Sequence, residues 1–167
     1  MTSISEISFK PSAQAPATAV VVDEVLHKLS HLDGALMPIL HAVQAELGYV
    51  PEAAVPQIAK ALNLSRAEVH GVLTYYDHFH QHPVGKTVVQ VCRAEACQTR
   101  GGEQLLEDMQ AEYGCSHEHV TSKDGAVTVE AAYCLGLCAQ SPAAMVNNVP
   151  YARLNLAKLK AIVGEKV

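Results

Sequence analysis

Positive charge is scarce in this sequence, which has 12 Lys and Arg residues against 17 Asp and Glu residues and a formal net charge of -5. A chain of this charge offers no basic field that could hold the phosphates of nucleic acids or anionic lipid headgroups. We therefore expect no nucleic acid and no membrane surface among its partners.

Long apolar runs are also missing. A helix that spans a bilayer needs about 20 apolar residues, and the run around Val20 is interrupted at once by Asp23 and Glu24. The first residues lack the basic segment, the apolar segment and the cleavage site of a secretory signal peptide. We therefore expect the protein to be located in the cytoplasm.

Glycine-rich nucleotide-binding motifs are absent as well. The sequence contains neither G-x-G-x-x-G nor a P-loop, and Gly101 and Gly102 alone are too short a segment to hold a dinucleotide. No set of Ser, His and carboxylate residues indicates hydrolysis. A nucleotide cofactor, if one is used, is therefore expected to bind to another chain.

The 167 residues, 49% of them hydrophobic, are enough to bury the core of one domain or of two small ones. Residues 1–16 are mostly small and polar, and Pro11 and Pro16 disfavour a continuous helix, which predicts a flexible tail. Residues 17–83 predict a helical domain, and residues 84–167 predict a small α/β domain.

The helical part is indicated by apolar residues that recur at helical spacing, which predicts a bundle of about four short helices. One helix is expected near Val20 to Leu29. The next should carry Pro38 in or near its first turn and end at Gly48. A third is predicted from Pro51 to Leu62.

The fourth helix has the clearest start signal, because Ser65 and Glu68 form an S-x-x-E capping box. The segment 58–69 also fits a helix-turn-helix, so a cysteine-sensing, DNA-binding transcription factor is an alternative from another functional class. Its second helix would offer only Arg66 as a base, beside Glu68. The acidic charge of the chain therefore disfavours DNA binding.

The second half changes character after Gly85 and predicts a small α/β domain on a short mixed sheet. The predicted elements are a strand at Val88–Val91, a helix at Gly102–Tyr113, a strand at Ala126–Ala131, a two-stranded hairpin turning at Asn147–Asn148, and a last helix capped by Asn155.

The sequence has five cysteines, an odd number, and thiols in a reducing cytoplasm rarely form disulfides. Cys92 and Cys97 form C-x4-C where the first strand should end, and Cys134 and Cys138 form C-x3-C just after the second strand. If these strands are neighbours, both pairs emerge at one edge of the sheet. Four thiolates could then converge on an iron-sulfur cluster or on zinc.

Spacing alone leaves both metals open, since structural zinc sites also use closely spaced cysteine pairs. The residues around the pairs favour a cluster, because Gly136 lets backbone N–H groups approach sulfur while Leu135 and Leu137 exclude water. Cys115 lies outside both pairs and is expected to be an ordinary buried thiol.

Three alternating histidines, His78, His80 and His82, would share one face of an extended strand, as metal ligands can. Their position just before Pro83 favours a different interpretation. We expect them to belong to a partly solvated connector.

The two cysteine segments, Val91–Gln98 and Tyr133–Cys138, resemble those of the thioredoxin-like [2Fe-2S] family. This family includes the 24 kDa-type subunit of respiratory complex I and its relatives in NAD-reducing hydrogenases and NAD-dependent formate dehydrogenases. The resemblance covers everything but the tail, and it implies that residues 84–167 form a thioredoxin-like domain. It also implies that the ligands of one [2Fe-2S] cluster are Cys92, Cys97, Cys134 and Cys138.

The segments Cys92–Gln98 and Leu62–His70 are most similar to the gamma subunit of soluble, molybdenum-dependent, NAD-linked formate dehydrogenase. This resemblance implies an electron-transfer subunit that is not catalytic alone. It would exchange electrons with FMN on a beta-type partner that also binds NAD, while formate is oxidised at a molybdenum cofactor on another subunit. Residues 17–83 would then dock the flavin-bearing partner. The alternatives are the equivalent subunits of complex I and of NAD-reducing hydrogenase.

Overall fold

The computed structural model describes residues 15–117 and 119–166, which form two compact units that divide between Pro83 and Val84. Most of the tail predicted over residues 1–16 lies outside the described residues. Its last two residues are helical, because the first helix begins at Ala15 and not near Val20. Pro16 fits there because the first N–H groups of a helix have no partner within it.

The first unit contains helices α1 (Ala15–Leu29), α2 (Leu36–Leu47), α3 (Val55–Leu62) and α4 (Arg66–Tyr75), which confirms the predicted bundle. The third helix starts later than Pro51, the predicted position. A 3-10 turn over Glu52–Ala54 precedes it. Pro56 lies in the first turn of α3 and has no N–H to donate to a carbonyl one turn earlier, which separates the two segments.

Helix ends in this unit lie where the sequence predicts them. Gly48 ends α2 with a φ of 80°, and its N–H donates to the Gln44 carbonyl at 2.7 Å. At the start of α4 the Glu68 N–H donates to Ser65 Oγ at 3.1 Å, and the Ser65 N–H donates to Glu68 Oε2 at 2.8 Å. The capping box is therefore complete.

One apolar core holds the four helices together. Its fully buried members come from α1 to α4 and from the segment after α2, and they are Val22, Ile39, Leu40, Val43, Val50, Ile58 and Val69. All five cysteines lie later in the chain. The helical unit thus has a core of its own and no thiol.

The second unit is built on strands β1 (Thr87–Cys92), β2 (Val127–Ala132), β3 (Ala143–Val146) and β4 (Val149–Ala152). The strand order is β2-β1-β3-β4. Strand β1 pairs with β2 in parallel and with β3 antiparallel, and β3 pairs with β4 antiparallel. The predicted short mixed sheet is confirmed, with β1 near its centre.

Helices α5 (Glu95–Gln98), α6 (Gly102–Tyr113) and α7 (Leu156–Gly164) complete this unit. The bounds of α6 are as predicted, whereas α5 was not expected. Asn147 and Asn148 have φ values of 48° and 64°, as a two-residue hairpin turn requires. At the start of α7 the Lys158 N–H donates to Asn155 Oδ1 at 3.0 Å, so this cap is confirmed.

The sheet unit buries a second apolar core between its strands and α6 and α7. Its fully buried members are Val89, Val91, Met109, Val129, Ala144, Val146, Leu159 and Val163. Because these residues fix β1 in the middle of the sheet, they also fix the position of Cys92, its last residue. Across residues 15–117 and 119–166, no helix has both the length and the apolar character needed to cross a bilayer.

Candidate metal centre

Parallel strand pairing brings the two cysteine pairs to one edge of the sheet. Cys92, the last residue of β1, lies opposite Ala132, the last residue of β2. The pairing extends one residue further, since the Arg93 N–H donates to the Ala132 carbonyl at 2.9 Å. After β2 the chain reaches Cys134. The two strands are therefore neighbours, as the convergence of the cysteines requires.

The first pair is buried. Cys92 and Cys97 are each 2% exposed, and they pack with Ala143 at the start of β3. Cys97 lies in the single turn of α5, where its N–H donates to the Ala94 carbonyl at 2.8 Å. This turn folds the C-x4-C segment back on itself, so that the two side chains form a hydrogen bond.

The second pair is exposed and lies on a loop. The sulfur atoms of Cys134 and Cys138 are 3.9 Å apart. Cys134 has a φ of 134°, which is uncommon for a residue with a side chain, and Gly136 has a φ of 75°. Ser141 Oγ donates to the Cys138 carbonyl at 3.1 Å. The loop therefore curves tightly enough to bring both thiols to one side.

The thiols of both pairs influence one another. Burial raises the pKa of Cys97, and its hydrogen bond with Cys92 raises that pKa further, although a backbone hydrogen bond from Ala143 opposes this. The hydrogen bond to Cys134 raises the pKa of Cys138, and the charge of Cys92 adds to the effect. Burial and the neighbouring thiol therefore both favour the protonated form of Cys97, and the neighbouring thiol favours that of Cys138.

Gly102, the first residue of α6, makes the closest backbone approach to the first pair. A Cβ atom at this position would lie 2.6 Å from the Cys92 carbonyl oxygen and 2.8 Å from that of Cys97. Both distances are far shorter than ordinary van der Waals contact. Only glycine therefore allows α6 to begin directly behind the C-x4-C segment.

The chain around the second pair carries no charge. Residues 131–152 contain no Asp, Glu, Lys, Arg or His, and they include both Cys134 and Cys138. Leu135 and Leu137 are partly buried against the first pair, whereas Tyr133 is exposed. The candidate site therefore combines four thiols with an apolar and uncharged loop.

These residues fit a [2Fe-2S] cluster, which takes two thiolates at each of two irons. The structure provides one buried and one exposed pair, and Leu135 and Leu137, which lie between the exposed cysteines in the sequence, pack against the buried pair. Glycine at position 102 leaves free the space beside the carbonyl groups of Cys92 and Cys97 that a Cβ would fill. In the described part of the chain, no group of three or more His, Cys, Asp or Glu residues is arranged to hold a single metal ion.

The other cysteine and the alternating histidines lie elsewhere. Cys115 follows α6, is partly buried, and has a pKa that burial raises. In the connector after α4, the ring of His78 lies 5.1 Å from that of His41 between centroids, and the His80 N–H donates to Gln44 Oε1 at 2.8 Å. This segment is attached to the helical unit, as the connector interpretation expects.

Sequence reasoning missed two features of the site. It assigned no role to Gly102, although two successive glycines that begin four residues after a C-x4-C motif are a usable signal of close packing. It also missed Glu103, whose carboxylate binds the side chains of Arg93 and Gln98. These contacts join residues that have no recognisable spacing, so the sequence gives no signal for them.

Comparison with protein families gives one match that covers most of the chain. The family described as thioredoxin-like [2Fe-2S] ferredoxin matches residues 22–166. The matched range includes all four cysteines of the candidate site and also the helical unit from α1 onward. The match thus extends well beyond the cysteine motifs.

Individual relatives agree with this match. One subunit of the NADH-quinone oxidoreductase of Pseudomonas aeruginosa is 31% identical over 125 residues, which are 73% of this chain and 75% of the relative. A subunit of the NADH-quinone oxidoreductase of Thermus thermophilus is 33% identical over 130 residues, which are 77% of this chain and 71% of the relative.

A solved structure shows the same fold. It is that of the NAD+-reducing [NiFe]-hydrogenase in the H2-reduced state, with a TM-score of 0.61 and 23% identity. The similarity covers 75% of this chain and 21% of the hydrogenase chain. At this identity the comparison supports the architecture of the chain and not its activity.

Proposed function

Since the chain belongs to the thioredoxin-like [2Fe-2S] ferredoxin family, we propose that it is an electron-transfer subunit of an NAD-linked oxidoreductase complex. The observation that carries this proposal is the position of two cysteine pairs at the neighbouring ends of two parallel strands. The proposed ligands of one cluster are Cys92, Cys97, Cys134 and Cys138.

Each part of the site has a definite task in this proposal. Bound there, a [2Fe-2S] cluster supplies one-electron transfer. Cys92 and Cys97 would hold the cluster from a buried position that Ala143 helps to close against water. Cys134 and Cys138 would hold it from the surface, where a redox partner can come close.

The first experiment identifies the metal. Protein purified without oxygen is expected to be brown, to contain two irons and two labile sulfides per chain, as one [2Fe-2S] cluster requires, and to give a rhombic S = 1/2 EPR signal after reduction. Zinc is the competing metal for four thiolates. A colourless protein with one zinc and no sulfide would contradict the electron-transfer function.

The finer proposal concerns the complex. Relatives of this chain are named as subunits of NADH-quinone oxidoreductase, which supports a partner that binds NAD and, with it, FMN. We place the chain in an NAD-dependent formate dehydrogenase because the segments Cys92–Gln98 and Leu62–His70 resemble its gamma subunit. A molybdenum-containing subunit would then oxidise formate, and the complex would work in the cytoplasm.

Two measurements test this assignment. Copurification from the native host should yield a flavin-binding and a molybdenum-containing subunit, and formate should reduce the cluster in the complex. Reduction by hydrogen, with a nickel-containing partner, would instead assign the chain to a hydrogenase. Copurification with membrane-embedded quinone-reducing subunits would assign it to complex I. Either result would overturn the formate assignment while leaving the electron-transfer role intact.

The helical unit, as we propose, docks the flavin-bearing partner and thereby fixes the distance between cluster and flavin. Support comes from its exposed apolar side chains, which are Val20, Leu32, Tyr75 and Tyr76. Changing Tyr75 and Tyr76 to Lys in the full-length chain should weaken copurification of the partner without loss of the cluster. Gln104→Lys, at an exposed site in the sheet unit, is the matched charge control. Unchanged copurification of the tyrosine variant would contradict the docking role.

A further inference from the structure

Glu103 connects the residues that follow the two buried cysteines. Its Oε1 accepts a hydrogen bond from Arg93 Nη2 at 2.6 Å, and its Oε2 accepts one from Gln98 Nε2 at 2.9 Å. Arg93 directly follows Cys92, and Gln98 directly follows Cys97. One carboxylate thus holds both ends of the C-x4-C segment.

The backbone places this carboxylate where it can reach both ends. Glu103 is the second residue of α6, and Gly102 before it lies against the carbonyl groups of Cys92 and Cys97. The glycine therefore meets the backbone of the segment while the glutamate binds its side chains. An acidic residue also suits the first turn of a helix, where the helix dipole is positive.

The pair of Arg93 and Glu103 also fixes the charge beside the first ligand pair. Their side chains are 27% and 39% exposed, so neither charge is fully screened by solvent. Exposed ion pairs contribute little to stability. A charge close to a redox centre has a larger consequence, because reduction adds one negative charge that nearby cations favour and nearby anions oppose.

We propose that Glu103 is a positioning residue for the cluster-binding segment, and that Arg93 and Glu103 set the cluster's reduction potential through opposite charges that cancel within the pair. The proposal rests on the proposed function, since it requires a redox-active cluster on the four cysteines. According to this proposal, Arg93 raises the reduction potential of the cluster, Glu103 lowers it, and the two effects cancel. A purely structural ion pair would have no such signature.

The test is a charge cycle in the full-length chain. R93Q removes a cation, so at a fixed solution potential the ratio of reduced to oxidised cluster should fall roughly threefold to tenfold. E103Q removes an anion and should raise the ratio by a similar factor. The double variant R93Q/E103Q should return close to wild type. A redox titration followed by EPR measures all three.

The chain supplies a matched control for these variants. Lys160 and Glu112 form a second ion pair in the same unit, at 2.6 Å and with side chains 40% and 39% exposed. K160Q and E112Q should leave the ratio unchanged. R93K, which keeps the charge at position 93, should also leave it unchanged, and the comparison of R93K with R93Q remains decisive if E103Q fails to assemble a cluster.

The outcomes separate this inference from the proposed function. If both single variants shift the ratio in the same direction, or if neither differs from the control pair, the inference is wrong although the cluster is present. Equal shifts in R93K and R93Q would overturn it as well. Wild-type protein without iron and sulfide would contradict the proposed function, and the inference would fall with it.

Discussion

The helical unit and the sheet unit differ in how their sequences specify them. In the helical unit each boundary depends on one or two neighbouring residues, such as Gly48 at the end of α2 and Ser65 at the start of α4. In the sheet unit the candidate site depends on strand pairing, which aligns Cys92 with Ala132 across a long stretch of sequence. The comparison shows that local signals can specify a helical bundle, whereas the arrangement of this candidate site depends on contacts that are distant in sequence.

The largest expected difference between the two units follows from replacing one of the two buried cysteines that are proposed as ligands. Cys92→Ser should abolish nearly all iron binding and lower the stability of the sheet unit, because metal binding and folding are coupled. The helical unit contains no thiol and should lose much less. The iron content of the purified protein measures the first effect. Hydrogen exchange, followed separately for the helical unit and the sheet unit, measures the second.

The matched control is Cys115→Ser, at a partly buried thiol outside both pairs. This variant should keep its iron. If it lost iron as completely as Cys92→Ser, the assignment of Cys92 as a ligand would have no support from this experiment.

A smaller effect is expected when the cysteines stay and only their backbone support changes. Gly102→Ala would place a Cβ 2.6 Å from the Cys92 carbonyl oxygen, which forces α6 or the C-x4-C segment to move. Overpacking of this kind costs about 1–3 kcal/mol. We expect a lower thermal midpoint for the sheet unit and faster iron loss to a chelator.

Gly164→Ala is the control for this variant, because a Cβ at position 164 has no atom within 4 Å. Its thermal midpoint and its rate of iron loss should match those of wild type. Identical behaviour of Gly102→Ala and Gly164→Ala would show that α6 does not need to begin so close to the cysteines.

Helix caps give a matched pair of substitutions, one in each unit. Ser65→Ala removes the hydrogen bond that Ser65 Oγ accepts from Glu68, and Asn155→Ala removes the one that Asn155 Oδ1 accepts from Lys158. Each loss costs about 1 kcal/mol. Hydrogen exchange should accelerate mainly in α4 for the first variant and in α7 for the second. The reverse pattern would contradict the assignment of the caps.

The smallest expected effect is a response of the helical unit to mild acid. Burial lowers the pKa of His80, and burial together with the charges of His41 and His80 lowers that of His78, from an ordinary value of 6.5. These histidines therefore bind protons at a higher pH in the unfolded chain than in the folded chain. Their contribution to the free energy of unfolding is fully present above pH 6.5 and is lost as the pH falls below it. Urea unfolding at pH 7.5 and 5.5 should show this loss.

The double variant His78→Gln and His80→Gln should flatten this pH dependence, because it removes the groups that titrate differently in the two states. Gln104→Ala, at an exposed residue of the sheet unit that does not titrate, is the control and should leave the pH dependence unchanged. A dependence that survived in the first variant would mean that other groups in the chain cause it.

The sequence predicted those parts of the fold that short-range signals determine. The bounds of α6, the turn at Asn147 and Asn148 and the cap at Asn155 are all confirmed. The start of α3 was wrong, because the prediction did not consider that Pro56 interrupts hydrogen bonding to the turn before it. Helix α5 was missed because four residues are too few to show an apolar period.

The sequence indicated which cysteines belong to the candidate site, but it did not indicate how they are arranged in space. The spacing of the pairs and the likeness to a known family indicated which thiols belong together. Only the structure shows that Cys92 and Cys97 are buried while Cys134 and Cys138 are exposed. It also reveals the carboxylate of Glu103, because tertiary contacts that depend on side-chain direction leave no pattern in a sequence.

The uncharged segment over residues 131–152 has a consequence for the kinetics of encounter. Long-range attraction between proteins comes from charge, and this segment contributes none. A protein that meets the exposed cysteines there should associate near the rate of unsteered docking, about 10⁵–10⁶ M⁻¹ s⁻¹. That rate should depend on ionic strength less than it would at a site lined by charged residues, because the segment itself has no charge for salt to screen.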